Sequence, residues 1–167
     1  MTAMLQKKIC MLGGFSVGKT SLVKRYVHSV FSESYLTTVG VKIDKKTVTL
    51  PDRVVNLILW DLAGEDDLNS FRMTNLRGAA GYMLVADGTR RSTLDVALSL
   101  HRRVEAEYGP LPFVLLLNKS DLKEQWEIGD ADVAGLRDGG ILVEPSSALT
   151  GESVEDAFMD LAVRTAG

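Results

Sequence analysis

Residues 13–20 read GGFSVGKT, and this stretch decides the fold. It matches the pattern G-x-x-x-x-G-K-[ST], follows the apolar run 9–12 and leads into a helix-like segment, 21–26. Glycines let the chain wrap tightly and aim backbone N–H groups at an anionic phosphate, and the following helix adds the positive end of its dipole. The stretch therefore predicts a phosphate-binding loop in which Lys19 reaches the terminal phosphates and the Thr20 hydroxyl binds Mg²⁺. The alternative is a glycine-rich turn that carries an ordinary surface lysine.

The bulk properties are those of an ordinary globular protein. The chain has 167 residues, 46% hydrophobic and 25% charged, which suits one domain over residues 1–167. The net charge of −3 gives no reason to expect nucleic acid as a partner. Cys10 is the single cysteine, so no disulfide can form within the chain. No run approaches the ~20 apolar residues that span a bilayer, and no myristoylation glycine or prenylation cysteine is present, so we expect a cytoplasmic protein without a membrane anchor.

Short apolar runs alternate with amphipathic segments along the chain. The apolar runs are 8–12, 81–86, 113–117 and 141–143, and the helical patterns are 21–27, 93–108, 132–137 and 154–163. One stretch breaks the alternation, because two β-rich runs, 41–50 and 54–61, are joined by the turn signal Pro51-Asp52. The pattern predicts an α/β fold: a doubly wound, mostly parallel six-stranded sheet with one antiparallel edge strand and helices on both faces.

A D-x-x-G motif, Asp61 to Gly64, ends the second arm of the predicted hairpin. An aspartate at this place can hold the Mg²⁺ shell, and a glycine can offer its backbone N–H to a terminal phosphate. The motif is short enough to arise by chance as a turn. Its weight comes from the preceding strand and from the phosphate loop upstream.

Residues 118–121 read NKSD at the end of the predicted strand 113–117. The carboxylate of Asp121 can only accept hydrogen bonds. Guanine presents two N–H donors on one edge, whereas adenine presents an acceptor at N1 and no amino group at C2. The motif therefore predicts selection of guanine over adenine by charge-assisted hydrogen bonds.

These motifs together resemble a Ras-superfamily small GTPase of the Rab-like branch, a P-loop G domain, over residues 7–162. The segment 60–64, WDLAG, is similar to the Rab-type entry to switch II. The resemblance implies that Thr38 contacts Mg²⁺ and the γ-phosphate, that Phe31 packs on the base and that Tyr35 lies over the phosphates. It also implies that the switch segments, 36–43 and 66–76, bind effector, exchange and activating proteins.

The resemblance also implies a nucleotide site, a metal site and a set of catalytic groups. The nucleotide site comprises Gly13, Phe15, Ser16, Val17, Gly18, Lys19, Thr20, Ser21, Phe31, Tyr35, Thr38, Gly64, Asn118, Lys119, Asp121, Ser147, Ala148 and Leu149. The Mg²⁺ ligands are Thr20, Thr38 and Asp61. The catalytic groups are Lys19, Thr38, Gly64 and Glu65. The cofactors are GTP or GDP together with Mg²⁺.

Three positions depart from the family pattern. Glu65 replaces the usual catalytic glutamine, and an ionised glutamate can accept hydrogen bonds but cannot donate them. Phe15 occupies a phosphate-loop position where relatives carry a small residue, so it either crowds an inserted arginine finger or packs outward on switch II. Residues 147–149 read SAL where the family has an S-A-K motif, so Leu149 replaces the lysine. From this replacement we expect a modest loss of nucleotide affinity.

Two main hypotheses follow. The first is a slow GTP-hydrolysing switch whose switch segments are ordered by the γ-phosphate and released on hydrolysis. The second is a hydrolysis-deficient module that binds partners in its GTP form and cycles by nucleotide exchange, which Phe15 and Glu65 favour. A third, an ATPase or kinase on the same loop, is disfavoured by Asp121, and preference for ATP in a competition assay would revive it.

Replacing Glu65 with glutamine tests whether this residue limits hydrolysis. The Glu65→Gln variant should release phosphate from bound GTP faster than the original chain, because glutamine can both donate to the phosphate and accept from the attacking water. Single-turnover phosphate release measures the two rates. An unchanged rate would remove Glu65 as the explanation for slow hydrolysis.

Overall fold

The computed structural model describes residues 3–14, 16–27, 35–36, 41–62 and 73–166. Within these ranges the strands are β1 (Ala3–Gly13), β2 (Tyr35–Leu36), β3 (Val41–Thr49), β4 (Arg53–Leu62), β5 (Ala79–Asp87), β6 (Phe113–Asn118) and β7 (Val143–Pro145). The α-helices are α1 (Lys19–Val27), α2 (Arg91–Tyr108), α3 (Asp130–Asp138) and α4 (Val154–Ala166). Two 3₁₀ segments, Met73–Leu76 and Ser120–Gln125, complete the described elements.

The strands form one mixed sheet in the order β2-β3-β4-β1-β5-β6-β7. β4, β1, β5, β6 and β7 run parallel, and β3 runs antiparallel to β4 as the predicted hairpin arm. The predicted fold class is confirmed. The two-residue β2 adds a short seventh strand outside the six expected ones, pairing antiparallel with the start of β3.

β1 is the point at which successive strands of the chain change from one side of the sheet to the other. The chain places β4 on one side of β1 and β5 on the other. In open α/β sheets the crevice at such a switch point, beyond the carboxyl ends of the strands, is where ligands bind. The phosphate-loop motif begins at Gly13, the last residue of β1, so the topology places it in this crevice.

The sheet separates two apolar cores. Ile9 and Met11 of β1 point into the core covered by α1 and α4, whereas Cys10 and Leu12 point into the core that contains the buried face of α2. All four side chains are buried, so the strand reads as a continuous apolar run, which is the pattern of a parallel strand covered on both faces.

The limits of β7 and β1 differ from the sequence prediction. The last strand was predicted over 141–143 but lies at Val143–Pro145, because the Ile141 N–H bonds to the Leu136 carbonyl and closes the end of α3. β1 begins at Ala3 rather than near Lys8, because its first residues pair in register with β4, which a local hydrophobic pattern does not reveal.

Phe158 is expected to be the anchor of the contact between α1 and α4. Its ring is fully buried and stacks on Tyr26 with centroids 4.0 Å apart and planes 9° apart. The Phe158→Ala variant should lose about 3–5 kcal/mol of unfolding free energy through lost burial and a cavity. The neighbouring Met159 is 41% exposed, so Met159→Ala should change the same quantity by less than about 1 kcal/mol.

Urea unfolding under one fixed nucleotide concentration measures both variants, since a ligand shifts apparent stability. Equal effects of the two substitutions would contradict the placement of Phe158 in the core.

Candidate functional site: a phosphate loop beside a base-reading loop

The loop between β1 and α1 has a backbone that only particular residues tolerate. Gly18 has a φ of +101° and Ser16 a φ of +57°. A Cβ on Gly13 would lie 2.5 Å from the Val85 carbonyl oxygen of the neighbouring strand β5. The glycines are therefore required by the turn and by the close approach of two strands. An open cavity of about 420 Å³ lies against this loop, lined by Gly14, Ser16, Val17, Gly18, Lys19, Thr20, Ser21 and Lys119.

Lys19 begins α1 and lies over the loop. Its side chain is only 4% exposed, and Nζ donates to the Gly13 carbonyl oxygen at 3.1 Å. A buried ammonium group needs acceptors or anions around it. The position at the first residue of a helix, next to the cavity, gives this cation the placement to contact a bound phosphate.

Asp61 and Thr20 meet at the carboxyl end of β4. The Thr20 hydroxyl donates to Asp61 Oδ2 at 2.5 Å, and Asp61 is 3% exposed. Within the part of the chain that the structure describes, the other oxygen, Oδ1, is buried and has no hydrogen-bond partner. Burial raises the pKa of the Asp61 carboxyl, opposed by the Thr20 hydrogen bond and the charge of Lys19.

A divalent cation fits this pair of residues. Buried polar atoms are nearly always satisfied, so the unpartnered Oδ1 calls for a further group. Mg²⁺ binds oxygen ligands, commonly one or two carboxylate or hydroxyl oxygens of the protein plus phosphate oxygens and water. Thr20 and Asp61 place such oxygens beside the phosphate loop.

Asn118 joins the phosphate loop to the second predicted motif. It is 2% exposed at the end of β6, and its Nδ2 donates to the Val17 carbonyl oxygen at 2.9 Å. Its Oδ1 accepts from the Ser146 hydroxyl at 3.3 Å. A Cβ on Gly18 would lie 2.3 Å from Asn118 Nδ2, so this glycine also makes room for the asparagine.

Asp121 is held beside the loop that follows β7. Its Oδ1 accepts from the hydroxyl of the buried Ser147 at 2.7 Å, and Ser147 Oγ accepts from the Thr150 N–H at 3.0 Å. The Ser120 N–H bonds to the Ser146 carbonyl oxygen, which ties the two loops together. Asp121 and Ser147, two residues of the predicted nucleotide site, are therefore neighbours in space although they belong to different loops.

The other two residues of this loop differ in their surroundings. Ala148 is half-buried and packs against the core under α1 and α4. Leu149 is 73% exposed, and its carbonyl oxygen accepts from Arg25 at 3.4 Å. The Leu149 side chain faces solvent, and the modest loss of nucleotide affinity expected from it stays a prediction.

Lys119 adopts a left-handed backbone, with φ 74° and ψ 40°. Its Nζ donates to the Ser16 carbonyl oxygen at 3.1 Å and pairs with Asp87 Oδ2 at 2.8 Å. Its own carbonyl oxygen accepts from the indole N–H of Trp126 at 2.8 Å. Lys119 was among the predicted site residues but Asp87 was not, although Asp87 directly follows the predicted strand 81–86 and residues just beyond the carboxyl end of a strand are candidates in such a sheet.

Several predicted site residues lie outside the described residues. They are Phe15, Phe31, Thr38, Gly64 and Glu65, and for Tyr35 only the backbone pairing of β2 is described. Their roles remain predictions. Of the remaining members, Ser16, Val17, Gly18, Lys19, Thr20, Ser21 and Lys119 line the cavity against the phosphate loop, whereas Asn118 bonds to that loop and Asp121 bonds to Ser147. Among the described helices, none is both long and apolar enough to cross a membrane.

Comparisons with known proteins point in one direction. The model of the Ras family matches residues 8–166. The Ras-related protein Rab-4 of Dictyostelium discoideum is 32% identical over 154 residues, which is 91% of this chain and 75% of that protein. The Ras-related protein Rab-32 of Mus musculus is 39% identical over 123 residues, 70% of this chain and 55% of that protein. The chain thus spans little more than half the length of the Rab-32 relative.

Gly18 is expected to be indispensable for the loop. The Gly18→Ala variant would strain a positive-φ backbone, at a cost on the order of 1–3 kcal/mol, and would push a methyl group against Asn118. Binding of fluorescent guanine nucleotide, measured by titration, should weaken at least about tenfold.

Gly135 provides the matched control. It lies inside α3, and a Cβ there would meet nothing within 4 Å among the described atoms. Gly135→Ala should leave nucleotide affinity unchanged and raise the unfolding free energy by up to about 1 kcal/mol. Unchanged affinity in Gly18→Ala would contradict the proposed fit of the loop.

Proposed function

The chain belongs to the Ras family as a Rab-like small GTPase, and we propose that it binds GTP and GDP with Mg²⁺ at the crevice described above and slowly hydrolyses GTP. The observation that carries the proposal is the hydrogen bond from Asn118 Nδ2 to the Val17 carbonyl oxygen. It joins a phosphate-binding loop directly to a loop that carries a guanine-selective carboxylate. One nucleotide can span the two.

Phosphate binding depends on the loop backbone and on Lys19. Backbone N–H groups of the loop and of the first turn of α1 would donate to the phosphate oxygens. The Lys19 ammonium, already buried beside the cavity, would contact the terminal phosphates and stabilise charge that develops there during transfer. In this class of reaction, positioning and charge stabilisation supply most of the catalysis.

Thr20 and Asp61 would hold Mg²⁺, with Thr38 as the further ligand that the family pattern predicts. The cation would neutralise negative charge on the phosphates. The unpartnered Oδ1 of Asp61 supports this assignment. The carboxylate also keeps the Thr20 hydroxyl oriented by accepting its hydrogen bond at Oδ2.

Asp121 would select the base. Its Oδ1 is fixed by Ser147, which limits the directions in which the carboxylate can face. A carboxylate matches the two N–H donors of guanine and is repelled by the acceptor at N1 of adenine. The Ala148 backbone N–H, on the adjacent loop, would contact guanine O6 as in the family pattern.

Residues 1–167 would form a single G domain that acts as a molecular switch. Effector, exchange and activating proteins would bind the switch segments, 36–43 and 66–76, which change conformation with the nucleotide. The family is one of GTP-hydrolysing enzymes, so the hydrolysis-deficient alternative is not favoured. Phe15 and Glu65, on which that alternative depended, lie outside the described residues.

Single-turnover phosphate release tests the proposal. Protein loaded with GTP should release phosphate after Mg²⁺ is added, at an intrinsic rate on the order of 10⁻⁴ to 10⁻² s⁻¹. A parallel reaction with ATP should give no release above background. The Lys19→Met variant keeps the length of the side chain but removes its charge, so it controls for contaminating GTPase and should be inactive.

The possible outcomes separate two parts of the proposal. Retention of GTP without release would contradict hydrolysis but leave the nucleotide site intact. Failure to retain GTP at all would contradict the nucleotide site. Equal release from GTP and ATP would contradict the role of Asp121.

A further inference from the structure

We propose that Asp87 and Trp126 are positioning residues that fix Lys119 from two sides and so set how long guanine nucleotide stays bound. The inference rests on the proposed function, because it concerns the same site. Neither residue lines the cavity against the phosphate loop. Both act through Lys119, which does line it.

Trp126 fixes the backbone of Lys119. A residue other than glycine in the left-handed region persists only where its surroundings hold it there. The indole N–H of Trp126 donates to the Lys119 carbonyl oxygen at 2.8 Å, across the 3₁₀ segment Ser120–Gln125. This bond fixes the direction in which the chain leaves β6 and enters the base-reading motif.

The position of Trp126 is itself determined by Gly88. A Cβ on Gly88 would lie 2.0 Å from the indole ring, so the glycine leaves room for the ring. The Gly88 N–H bonds to the Asn118 carbonyl oxygen at 3.0 Å, and the Gly88 carbonyl oxygen accepts from the Glu127 N–H at 2.9 Å. Trp126 is thus seated on the turn that directly follows Asp87.

Asp87 fixes the other end of Lys119. Its side chain is 1% exposed, and it accepts hydrogen bonds from Lys119 Nζ at 2.8 Å, from Thr89 and from Arg90. Burial alone would raise the pKa of Asp87, but these hydrogen bonds together outweigh it and lower the pKa to about 2. The carboxylate is therefore ionised at neutral pH and holds the ammonium group between itself and the Ser16 carbonyl oxygen.

These contacts order Lys119 by interactions within the protein itself. A long side chain that is already ordered loses little rotamer freedom when a ligand arrives, and this preorganisation strengthens binding. Among closely related complexes, such differences appear mainly in the dissociation rate. Loosening either the backbone or the ammonium group of Lys119 should therefore speed nucleotide release more than it slows association.

Two variants test the two ends separately. Trp126→Phe keeps an aromatic ring at this position and removes the N–H donor together with part of the indole, and Asp87→Asn removes the charge with little change in volume. Release of fluorescent GDP, chased with excess unlabelled GDP in Mg²⁺, should be about 2–10-fold faster in Trp126→Phe and about 10–100-fold faster in Asp87→Asn. Association rates should stay within about twofold of the original chain.

Matched controls remove equivalent groups elsewhere. Asp132 also has a pKa lowered to about 2, chiefly by its hydrogen bond from Arg91, so Asp132→Asn makes the same chemical change at a second ion pair. Tyr82→Phe removes one polar group from a buried aromatic side chain, the hydroxyl that makes a hydrogen bond with His101 at 2.7 Å. Both controls should leave GDP release within about twofold, and thermal unfolding at saturating GDP checks that every variant is folded.

A double variant separates positioning from a general structural role. If Asp87 acts through the Lys119 ammonium, Asp87→Asn should not speed release further in a Lys119→Met background, because the group it holds is gone. A structural role would instead add the same factor in both backgrounds.

The outcomes distinguish this inference from the proposed function. If the original chain fails to bind GDP, the proposed function itself is wrong. If it binds GDP but Trp126→Phe and Asp87→Asn release it at the original rate, the positioning role is overturned. If Asp87→Asn does not fold, Trp126→Phe still decides, because it leaves the ion pair in place.

Discussion

The site depends on one hydrogen bond, from the buried amide of Asn118 to the carbonyl oxygen of Val17. The donor ends β6 and the acceptor lies in the phosphate loop, 101 residues away in the chain. Both groups are nearly inaccessible to water, so leaving either one unpaired would cost the full desolvation of a polar group. This cost makes the distance between the two loops a fixed property of the fold. Gly18 permits the approach, since any Cβ would occupy the space of the amide.

The same requirement explains why charge concentrates at one edge of the sheet. Lys19, Asp61 and Asp87 are each less than 5% exposed, and each lies at or next to the end of a strand or the start of a helix. Charges in such places are stable only when paired or when they contact a ligand. Asp87 is satisfied within the protein by Lys119, whereas one oxygen of Asp61 is without a partner in the described structure. The difference matches the two roles that we propose, support of the site for Asp87 and binding of the cation for Asp61.

Much of this arrangement could be predicted from the sequence, because it is encoded in local patterns. The phosphate loop, the D-x-x-G motif and the N-K-S-D motif each follow an apolar run, and parallel strands bring their carboxyl ends to one edge. Trp126 could not be predicted in its role, because its contact with Gly88 depends on the close approach of two turns 38 residues apart. The start of β7 was misplaced for a related reason. Ile141 is apolar like a strand residue, but its N–H bonds to a carbonyl oxygen at the end of α3. Hydrophobicity alone does not show whether a backbone N–H will bond to a helix or to a neighbouring strand.

The two-sided burial of β1 has a consequence for how the chain can change its length. Alternate residues of this strand belong to different cores, and the strand ends directly in the phosphate loop. Inserting or deleting one residue would exchange the two sets of side chains between the cores and shift the loop by about 3.3 Å along the strand. A change of two residues would keep each side chain on its own side of the sheet, whereas a change of one would not. Length variation is better accommodated at the Pro51-Asp52 turn, where both residues are exposed and the chain reverses without contacting the crevice.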